Sequence, residues 1–393
     1  MSVFGVFGEF DSDNIGDILI GEGAFILLSE QLVDVRKLPL GRVSSLTNTM
    51  NKTKNKKNNV KIFHRYLYSR YISYRHIIEI SKLPSELKLL NKYAIDNVSD
   101  LDVIIIGGGQ LLHDNTLRML IRILFIINEA NKKQKPVVFF GTGASAPRTV
   151  FSKFLFKKIF KELDSSKIYL RDNRSTEIVA KFFPVSNANI VLIPDTAIAR
   201  ACQKTINKKS VEKIWGLAPI SKDTLPFELR KEKINQDEWW MCMAESLIKN
   251  NITPVLFSSG VMSDHERCLS IQSKLKIENN IELDVLPRPK DTDTFLKQLS
   301  HLDKVIAQRL HISISYFSMG GSPYSLPWDK KVFEFYNIIG MPERHSDCLD
   351  VDKVIKDVLK APNPSISIED LYRKLTLCVS CIANISIHEG RLQ

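Results

Sequence analysis

The chain has 393 residues, of which 44% are hydrophobic and 25% are charged, as in an ordinary globular protein. The sequence contains no run of about 18 uncharged apolar residues, so it predicts no transmembrane helix. The N-terminus carries acidic residues early and lacks the basic segment of a signal peptide. Six cysteines spread over this length do not make a disulfide framework. We therefore expect a cytoplasmic protein of two or three domains.

The formal net charge of +11 is concentrated in residues 51–82, where Lys and Arg far outnumber the single acidic residue, Glu79. Such a patch indicates an anionic surface or substrate nearby. Residues 44–60 are polar and low in complexity, which predicts a mobile lysine-rich loop. Residues 61–78 combine aromatic residues with arginines at helical spacing. This basic helix fits an anionic membrane face or nucleic acid, and it also fits a solvated helix with its aromatic residues packed inward.

The first half of the chain predicts alternating strands and helices, beginning with an apolar strand at residues 2–8. The turn Asn14-Ile-Gly-Asp17 follows, and apolar residues at helical spacing continue to about Leu32. These glycines do not match G-x-G-x-x-G, so a dinucleotide site has little support. The turn is either a ligand-binding loop or a plain strand-to-helix connection.

Two further apolar runs are each followed by glycines. Residues 103–106 are continuously apolar, which indicates a strand buried on both faces of a parallel sheet. We predict glycine loops directly after this strand and after the strand at residues 137–140. Such loops let the backbone approach a ligand at the carboxyl edge of the sheet, although any single glycine also fits a structural role. The glycines concerned are Gly107, Gly108, Gly109, Gly141 and Gly143.

Charged residues end the next two predicted strands. Arg171 and Arg174 follow an apolar run, with Asp172 or Asn173 as the cap of the next helix, and Asp195 follows another strand. About five strand–helix units by residue 200 predict one doubly wound domain.

A polar linker at residues 203–213 precedes a second series of strands and helices. We predict strands at residues 213–219, 253–260 and 281–286, and helices at residues 237–248, 264–275, 293–299, 328–340 and 366–384. Within this series, an apolar strand leads into Arg309-Leu-His311 at the start of a helix. A permanent cation and a titratable imidazole at a strand end suit an anionic substrate that needs a proton. The alternative is a surface arginine and a core histidine.

Two other sequence patterns bear on metal binding and on nucleophilic catalysis. Cys378-Val-Ser-Cys381 is a C-x-x-C within a helical pattern without a second C-x-x-C, so metal binding has little support and we predict no metal site. No G-x-S-x-G occurs, so no nucleophile elbow is indicated.

Several segments together resemble the polysaccharide pyruvyl transferase family, in the family's order and over most of the chain. The matching segments are Asn14-Ile-Gly-Asp17, Asp102-Val-Ile-Ile-Ile-Gly-Gly-Gly109, Gly141-Thr-Gly143, Leu170-Arg-Asp-Asn-Arg-Ser175, Pro194-Asp-Thr-Ala197, Arg309-Leu-His311, Gly321-Ser-Pro323 and Trp328-Asp-Lys-Lys331. The resemblance implies an α/β fold of two Rossmann-like doubly wound domains facing a cleft, as in the GT-B architecture. We expect these domains at residues 1–205 and 206–360, with a helical tail at residues 361–393.

The resemblance also implies transfer of the enolpyruvyl group of phosphoenolpyruvate onto two hydroxyls of a sugar, giving a pyruvate ketal in cell-surface polysaccharide synthesis. The alternative is a nucleotide-sugar-dependent glycosyltransferase of the same architecture. The expected catalytic residues are His311 as general acid, Arg309 as anion ligand and Asp17 as a candidate base. The expected substrate-binding residues are Arg171, Arg174, Gly107, Gly108, Gly109, Gly141, Gly143, Asp114 and Lys331.

The same resemblance sets the expected partners. Phosphoenolpyruvate is the donor substrate, and we expect no other cofactor and no nucleic acid. The acceptor is a sugar or a lipid-linked oligosaccharide. From its charge alone, the basic segment at residues 61–78 predicts peripheral contact with the anionic inner face of the membrane, where a lipid-linked acceptor would lie.

Overall fold

The structure is a computed structural model. It describes residues 2–12, 14–40, 71–163, 167–182, 189–206, 213–224, 236–326, 329–345, 350–360 and 364–389. The chain divides into two compact units. The first unit comprises Met1–Asp11, Ala24–Asp195 and Thr376–Gln393, and the second comprises Ser12–Gly23 and Thr196–Leu375.

The first unit contains a parallel sheet of six strands in the order β2-β1-β3-β4-β5-β6. Its strands are β1 (Val3–Gly8), β2 (Asp34–Pro39), β3 (Val103–Leu112), β4 (Val137–Ala144), β5 (Ile168–Leu170) and β6 (Ile190–Leu192). The strand order reverses direction between β1 and β3, as in flavodoxin-like sheets. Ligands of such sheets bind at the carboxyl edge beside the reversal.

Several helices of the first unit begin at side-chain caps that their sequences supply. The helices are the second half of α1 (Ile15–Ser29), then α2 (Ile72–Val98), α3 (Leu117–Lys132), α4 (Val150–Lys161) and α5 (Asn173–Ala180). Thr116 caps α3, Asp172 caps α5, and Thr149 forms a capping box with Ser152 at the start of α4. The apolar faces of α3 and α4 pack with the sheet into one core.

The glycines predicted to form loops lie inside β3 and β4, so that prediction is wrong. A Cβ atom on Gly107 would lie 2.6 Å from the carbonyl oxygen of Phe140 on the neighbouring strand. Gly108, Gly109 and Gly141 have positive φ, which favours glycine. The glycines therefore allow the two strands to pair closely and irregularly. The prediction used rules for local turns, which do not include contacts with a neighbouring strand.

The second unit contains a parallel sheet in the order β11-β10-β7-β8-β9. Its strands are β7 (Ile214–Ala218), β8 (Thr253–Leu256), β9 (Asp284–Val285), β10 (Lys304–Ala307) and β11 (Pro323–Ser325). Read from β9, this is the Rossmann order 3-2-1-4-5, and its direction reverses between β7 and β10.

The helices of the second unit follow the predicted series closely. After the first half of α1, they are α6 (Ala197–Ala201), α7 (Gln236–Lys249), α8 (Met262–Asn279), α9 (Thr292–Ser300), α10 (Leu310–Ser318), α11 (Lys330–Ile338) and α12 (Val351–Leu359). The last helix, α13 (Ile368–Glu389), begins in the second unit and ends in the first. Trp215, Trp240 and Tyr324 are among the buried side chains of this unit's core.

The units are not continuous in sequence, because residues 12–23 belong to the second and residues 376–393 to the first. The predicted lysine-rich loop at residues 44–60 lies outside the described residues. Of the predicted basic helix at residues 61–78, only residues 71–78 are described, and α2 begins there at Ile72. Among the described helices, none combines the length and the hydropathy needed to cross a bilayer.

Candidate active site

The strand reversal of the second sheet brings the loops after β7 and β10 together. Gln308, which follows β10, is buried and donates its backbone N–H to the carbonyl of Ala218, 3.1 Å away. Its side-chain oxygen accepts from the backbone N–H of Ile220 at 2.9 Å. These two hydrogen bonds hold the loops at the position where a Rossmann-type sheet binds its ligand.

Arg309 is held by a buried carboxylate. Its Nε donates to Asp264 Oδ2 at 2.7 Å and its Nη2 donates to Asp264 Oδ1 at 3.1 Å. Asp264 is 1% exposed and also accepts from the backbone N–H of Ser221. No described residue accepts from Nη1 of Arg309, whose side chain is 18% exposed. The guanidinium is therefore fixed in orientation while one donor edge stays available to an anion.

His311 lies in the first turn of α10 and is half-buried. The first turn of α1 packs directly against its ring, since a Cβ atom on Gly16 would lie 2.8 Å from Cγ of His311. In the same turn, Asn14 accepts from the backbone N–H of Gly16 and donates its side-chain N–H to Asp17 Oδ2 at 2.9 Å. The structure thus brings the predicted residues Arg309 and His311 to adjacent positions, with the Asn14–Asp17 turn against the imidazole.

The loop after β8 contributes two buried hydroxyl groups at the same edge of the sheet. The side-chain oxygens of Ser258 and Ser259 are buried, and neither has a hydrogen-bond partner among the described residues. Gly260 follows with φ +93° and packs against Ile15. Its carbonyl accepts from Nε of Arg288 at 2.6 Å. A buried hydroxyl without a partner costs free energy, so a polar ligand or water would complete this loop.

The first unit holds the other predicted arginine site. The Arg171 side chain is 5% exposed and donates from Nη1 to Asp195 Oδ2 at 3.3 Å, with Asp172 Oδ2 at 3.7 Å from its Nε. A Cβ atom on Gly143 would lie 2.8 Å from Nε of Arg171, so the structure brings these two predicted residues into contact. Arg174 is exposed in the first turn of α5, which separates it from this buried cluster.

Asp114 belongs to a buried network in the first unit. It is 1% exposed and accepts from the backbone N–H and Nε of Arg148 and from the hydroxyl of Ser152. Burial by itself raises the pKa of Asp114, but the hydrogen bonds from Arg148 and Ser152 together lower that pKa below its ordinary value. These contacts join the end of β3 to the start of α4.

The remaining predicted residues lie elsewhere. Lys331 is half-buried in the first turn of α11, where its backbone N–H donates to Asp329. Cys378 and Cys381 lie on α13, and burial raises the pKa of the Cys378 thiol. Among the described residues, no group of three His, Cys, Asp or Glu side chains is placed to hold a metal ion.

Sequence reasoning did not find Asp264, Gln308, Ser258 or Ser259. Their roles come from contacts between strand ends that are far apart in the chain. A usable signal was the position of Asp264, an acidic residue at the start of the predicted helix that follows Ser258-Ser259-Gly260.

Solved structures share this fold at low sequence identity. UDP-GlcNAc 2-epimerase from Methanocaldococcus jannaschii is 10% identical with a TM-score of 0.59, and the match covers 98% of this chain and 100% of that one. A putative UDP-N-acetylglucosamine 2-epimerase from Listeria monocytogenes is 12% identical with a TM-score of 0.54, covering 99% and 96%. Trehalose-6-phosphate synthase OtsA is 10% identical with a TM-score of 0.56, covering 98% and 99%. These similarities confirm the prediction of two Rossmann-like domains of the GT-B type.

No curated protein sequence matches the chain. A sequence model of one family, described as polysaccharide pyruvyl transferase, matches residues 14–320. This match begins at the turn that packs against His311 and includes every strand of the first sheet from β2 onward, together with Arg309 and His311. The chain therefore belongs to the polysaccharide pyruvyl transferase family.

Proposed function

We propose that the protein transfers the enolpyruvyl group of phosphoenolpyruvate onto two hydroxyls of a sugar, forming a pyruvate ketal and inorganic phosphate. The observation that carries this proposal is the fixed Arg309–Asp264 pair next to His311 at the strand reversal of the second sheet. The family match supports an enzyme of this class.

Arg309 would bind the donor. Phosphoenolpyruvate carries a carboxylate and a phosphate, and a guanidinium binds the oxygens of either group through paired N–H donors. Nε and Nη2 of Arg309 already donate to Asp264. The ligand would therefore accept from Nη1 and from the second N–H of Nη2. Arg171 in the first unit, held by Asp195, is a second candidate anion ligand.

His311 would act as the general acid. Its proton goes to the methylene carbon of phosphoenolpyruvate, and the neighbouring carbon becomes electrophilic. One sugar hydroxyl then adds to that carbon and loses its proton. The oxygen of a second hydroxyl then bonds to the same carbon while the bond from that carbon to the phosphate oxygen breaks. This closes the ketal ring, and the second hydroxyl proton leaves with the phosphate. Asp17, held by Asn14, is our candidate to accept a hydroxyl proton.

The proposal includes a sugar or lipid-linked acceptor, action in the cytoplasm and no cofactor beyond the donor. The spread of six cysteines without a disulfide framework supports the cytoplasmic assignment. The family's description as a polysaccharide pyruvyl transferase supports a role in cell-surface polysaccharide synthesis.

The test is phosphate release from phosphoenolpyruvate by the purified protein in the presence of extracted surface glycans. We expect His311→Gln to lower the rate by about 10²–10⁴-fold, the usual contribution of a general acid. His301→Gln is the matched control, since His301 is exposed at the end of α9 in the same unit, and its rate should equal that of the wild type. An unchanged rate for His311→Gln would remove His311 from the mechanism.

Ligand-dependent melting separates this function from the glycosyltransferase alternative. Phosphoenolpyruvate should raise the Tm, because a ligand at about 100 times its Kd adds about 2.7 kcal/mol to the free energy of unfolding. A rise in Tm with UDP but not with phosphoenolpyruvate would favour an enzyme that uses a nucleotide sugar. The structurally similar 2-epimerases are named for such a substrate, UDP-GlcNAc.

A further inference from the structure

Helix α4 of the first unit presents apolar side chains to solvent. Val150 is 81% exposed, Phe151 is 50% exposed and Phe154 is 62% exposed. All three lie in the first half of the helix, within four residues of one another. Exposed apolar side chains are common singly, but a cluster containing two phenylalanines indicates an interaction surface.

The inward face of the same helix is already occupied. Ser152, Phe156, Ile159 and Phe160 are buried, and the last three pack into the core of the first unit. At 100° per residue, these four side chains lie on the side of the helix opposite Val150 and Phe154. The exposed cluster is therefore a second face of α4 that the core does not use.

Lysines surround the exposed cluster. Lys153, Lys157, Lys158 and Lys161 are exposed, and no acidic residue occurs between residues 150 and 161. No described acidic side chain forms an ion pair with any of these four lysines. Helical geometry puts Lys157 and Lys161 on the side of Val150 and Phe154, with Lys153 and Lys158 flanking them. We call these four lysines with Val150, Phe151 and Phe154 the α4 patch.

We propose that the α4 patch docks the protein onto an anionic lipid membrane surface. Lysines near such a surface are attracted by its negative potential, and phenylalanine side chains bury themselves at the boundary of headgroups and acyl chains. The combination favours lipid over nucleic acid, which would use the lysines but gain little from Val150, Phe151 and Phe154 in contact with phosphates. The α4 patch contains no residue of the basic segment at residues 61–78, although His76 of that segment hydrogen-bonds to Thr149, the N-cap of α4, at 2.9 Å. The inference goes beyond the proposed function, because lipid binding requires neither donor nor acceptor.

The test is co-sedimentation of the full chain with vesicles of phosphatidylcholine alone and with vesicles of phosphatidylcholine mixed with the anionic lipid phosphatidylglycerol. We expect binding to the anionic vesicles and weak binding to the neutral ones. Phe151→Ser with Phe154→Ser should lower the partition coefficient by at least about tenfold, since each exposed ring loses its apolar burial. Lys153→Gln with Lys157→Gln should lower it by about 25-fold, at roughly fivefold for each charge.

Helix α12 offers a matched control. Lys353, Lys356 and Leu359 are exposed on that helix in the second unit. The variant Lys353→Gln, Lys356→Gln, Leu359→Ser removes the same types of side chain and should bind vesicles like the wild type. Because every substituted residue is exposed, circular dichroism should show unchanged folding for all variants.

Three outcomes would overturn the proposal. Equal binding of the α4 variants and the wild type would place membrane contact elsewhere in the chain. Equal binding to neutral and anionic vesicles would remove the role of the lysines. RNA binding by the lysine variant and the wild type is compared as well. If the variant binds vesicles like the wild type but binds RNA less tightly, the patch is a nucleic-acid site. None of these results depends on phosphate release, so failure here is distinguishable from failure of the proposed reaction.

Discussion

Gly16 and Gly143 serve the same purpose beside two separate basic side chains. Each lacks the Cβ atom that would overlap a functional group, the His311 ring in the second unit and the Arg171 guanidinium in the first. In both cases the glycine leaves room for the side chain of a residue far away in sequence. The sequence marks such positions as glycine, but the side chain that needs the space is visible only in three dimensions.

Gly16→Ala is expected to displace the imidazole of His311. The added Cβ atom would lie 2.8 Å from Cγ of the ring, closer than such contacts allow, so the ring must move. We expect kcat for phosphate release to fall by about tenfold or more, since a general acid must lie within hydrogen-bond reach of its target.

The affinity for phosphoenolpyruvate should change little in that variant, because Arg309 is held independently by Asp264. Melting curves with and without phosphoenolpyruvate provide this control. Equal loss of affinity and turnover would mean that the whole anion site, and not the ring alone, depends on Gly16.

The sequence predicted Arg309 and His311 because the strand-to-helix boundary is a local pattern of apolar residues followed by polar ones. It did not predict Asp264 as the partner of Arg309. That pairing depends on how the loop after β8 reaches the loop after β10, which is a tertiary contact. A buried arginine at a strand end requires a counter-ion, but the sequence offers many carboxylates.

At the scale of elements, Asp237 connects α7 to its neighbours. Its carboxylate is buried and forms ion pairs with Arg267 and Lys274 on α8 and with Lys222 in the loop after β7. Arg267 also donates to the carbonyl of Ile220. The cluster ties together the two helices that follow β7 and β8.

Because Asp237 must be charged to form its ion pairs, this cluster is sensitive to acid. Burial raises the pKa of Asp237, but hydrogen bonds from Lys222 and Lys274 and the charge of Arg267 outweigh it and lower the pKa from 3.8 to about 2. A carboxyl with a lowered pKa stabilises the fold above its ordinary pKa, and this stabilisation is lost as the pH falls toward the lowered value. The contribution of Asp237 should therefore be full at neutral pH and disappear between about pH 4 and pH 2.

Asp237→Asn is expected to lower the free energy of unfolding by about 2 kcal/mol at pH 7. This is the free energy that corresponds to the decrease in the pKa of Asp237 from 3.8 to about 2. Urea denaturation at a series of pH values measures this. The gap between the variant and the wild type should narrow as the pH falls from about 4 and close near pH 2. Asp352→Asn, exposed on α12, is the control and should match the wild type within about 0.5 kcal/mol. A gap that is constant with pH would assign the loss to packing and not to charge.

Element order was largely predictable, because buried parallel strands and amphipathic helices leave strong periodic patterns. The helices around residues 237–248, 264–275 and 293–299 and the strands between them were confirmed. The ends of β3 and β4 were not predictable, because their glycines lie within strands whose close pairing depends on Phe140 and other backbone neighbours.

At the scale of the whole molecule, the chain passes between its two units more often than a simple two-domain sequence would suggest. Residues 12–23 lie in the second unit, and residues 376–393 return to the first. In the first unit, Gln31 donates to the carbonyl of Thr376 at 2.9 Å and accepts from Ser380. A domain boundary predicted from composition cannot show that a later segment belongs to the earlier unit. That assignment depends on which unit the segment packs into.

Val379→Ala tests how much the returning segment stabilises the first unit. Val379 is fully buried, so its truncation should lower the free energy of unfolding by about 1–2 kcal/mol through lost burial and a small cavity. Leu377→Ala on the same helix is the control. Leu377 is 62% exposed, and its truncation should cost less than about 0.5 kcal/mol. Equal effects of the two changes in thermal melting would show that α13 stabilises the protein by helix formation alone.

The placement of residues 12–23 in the second unit also sets an order of events during synthesis. Gly16 and His311, which pack together, are about 300 residues apart in the chain, and contacts of such separation form late in folding. The turn at Asn14 leaves the ribosome early but acquires its partner ring only when the strand before Arg309 has been made. A nascent chain stalled before that point would carry an apolar half-helix from Ile15 onward without its packing surface, which makes it a substrate for chaperones.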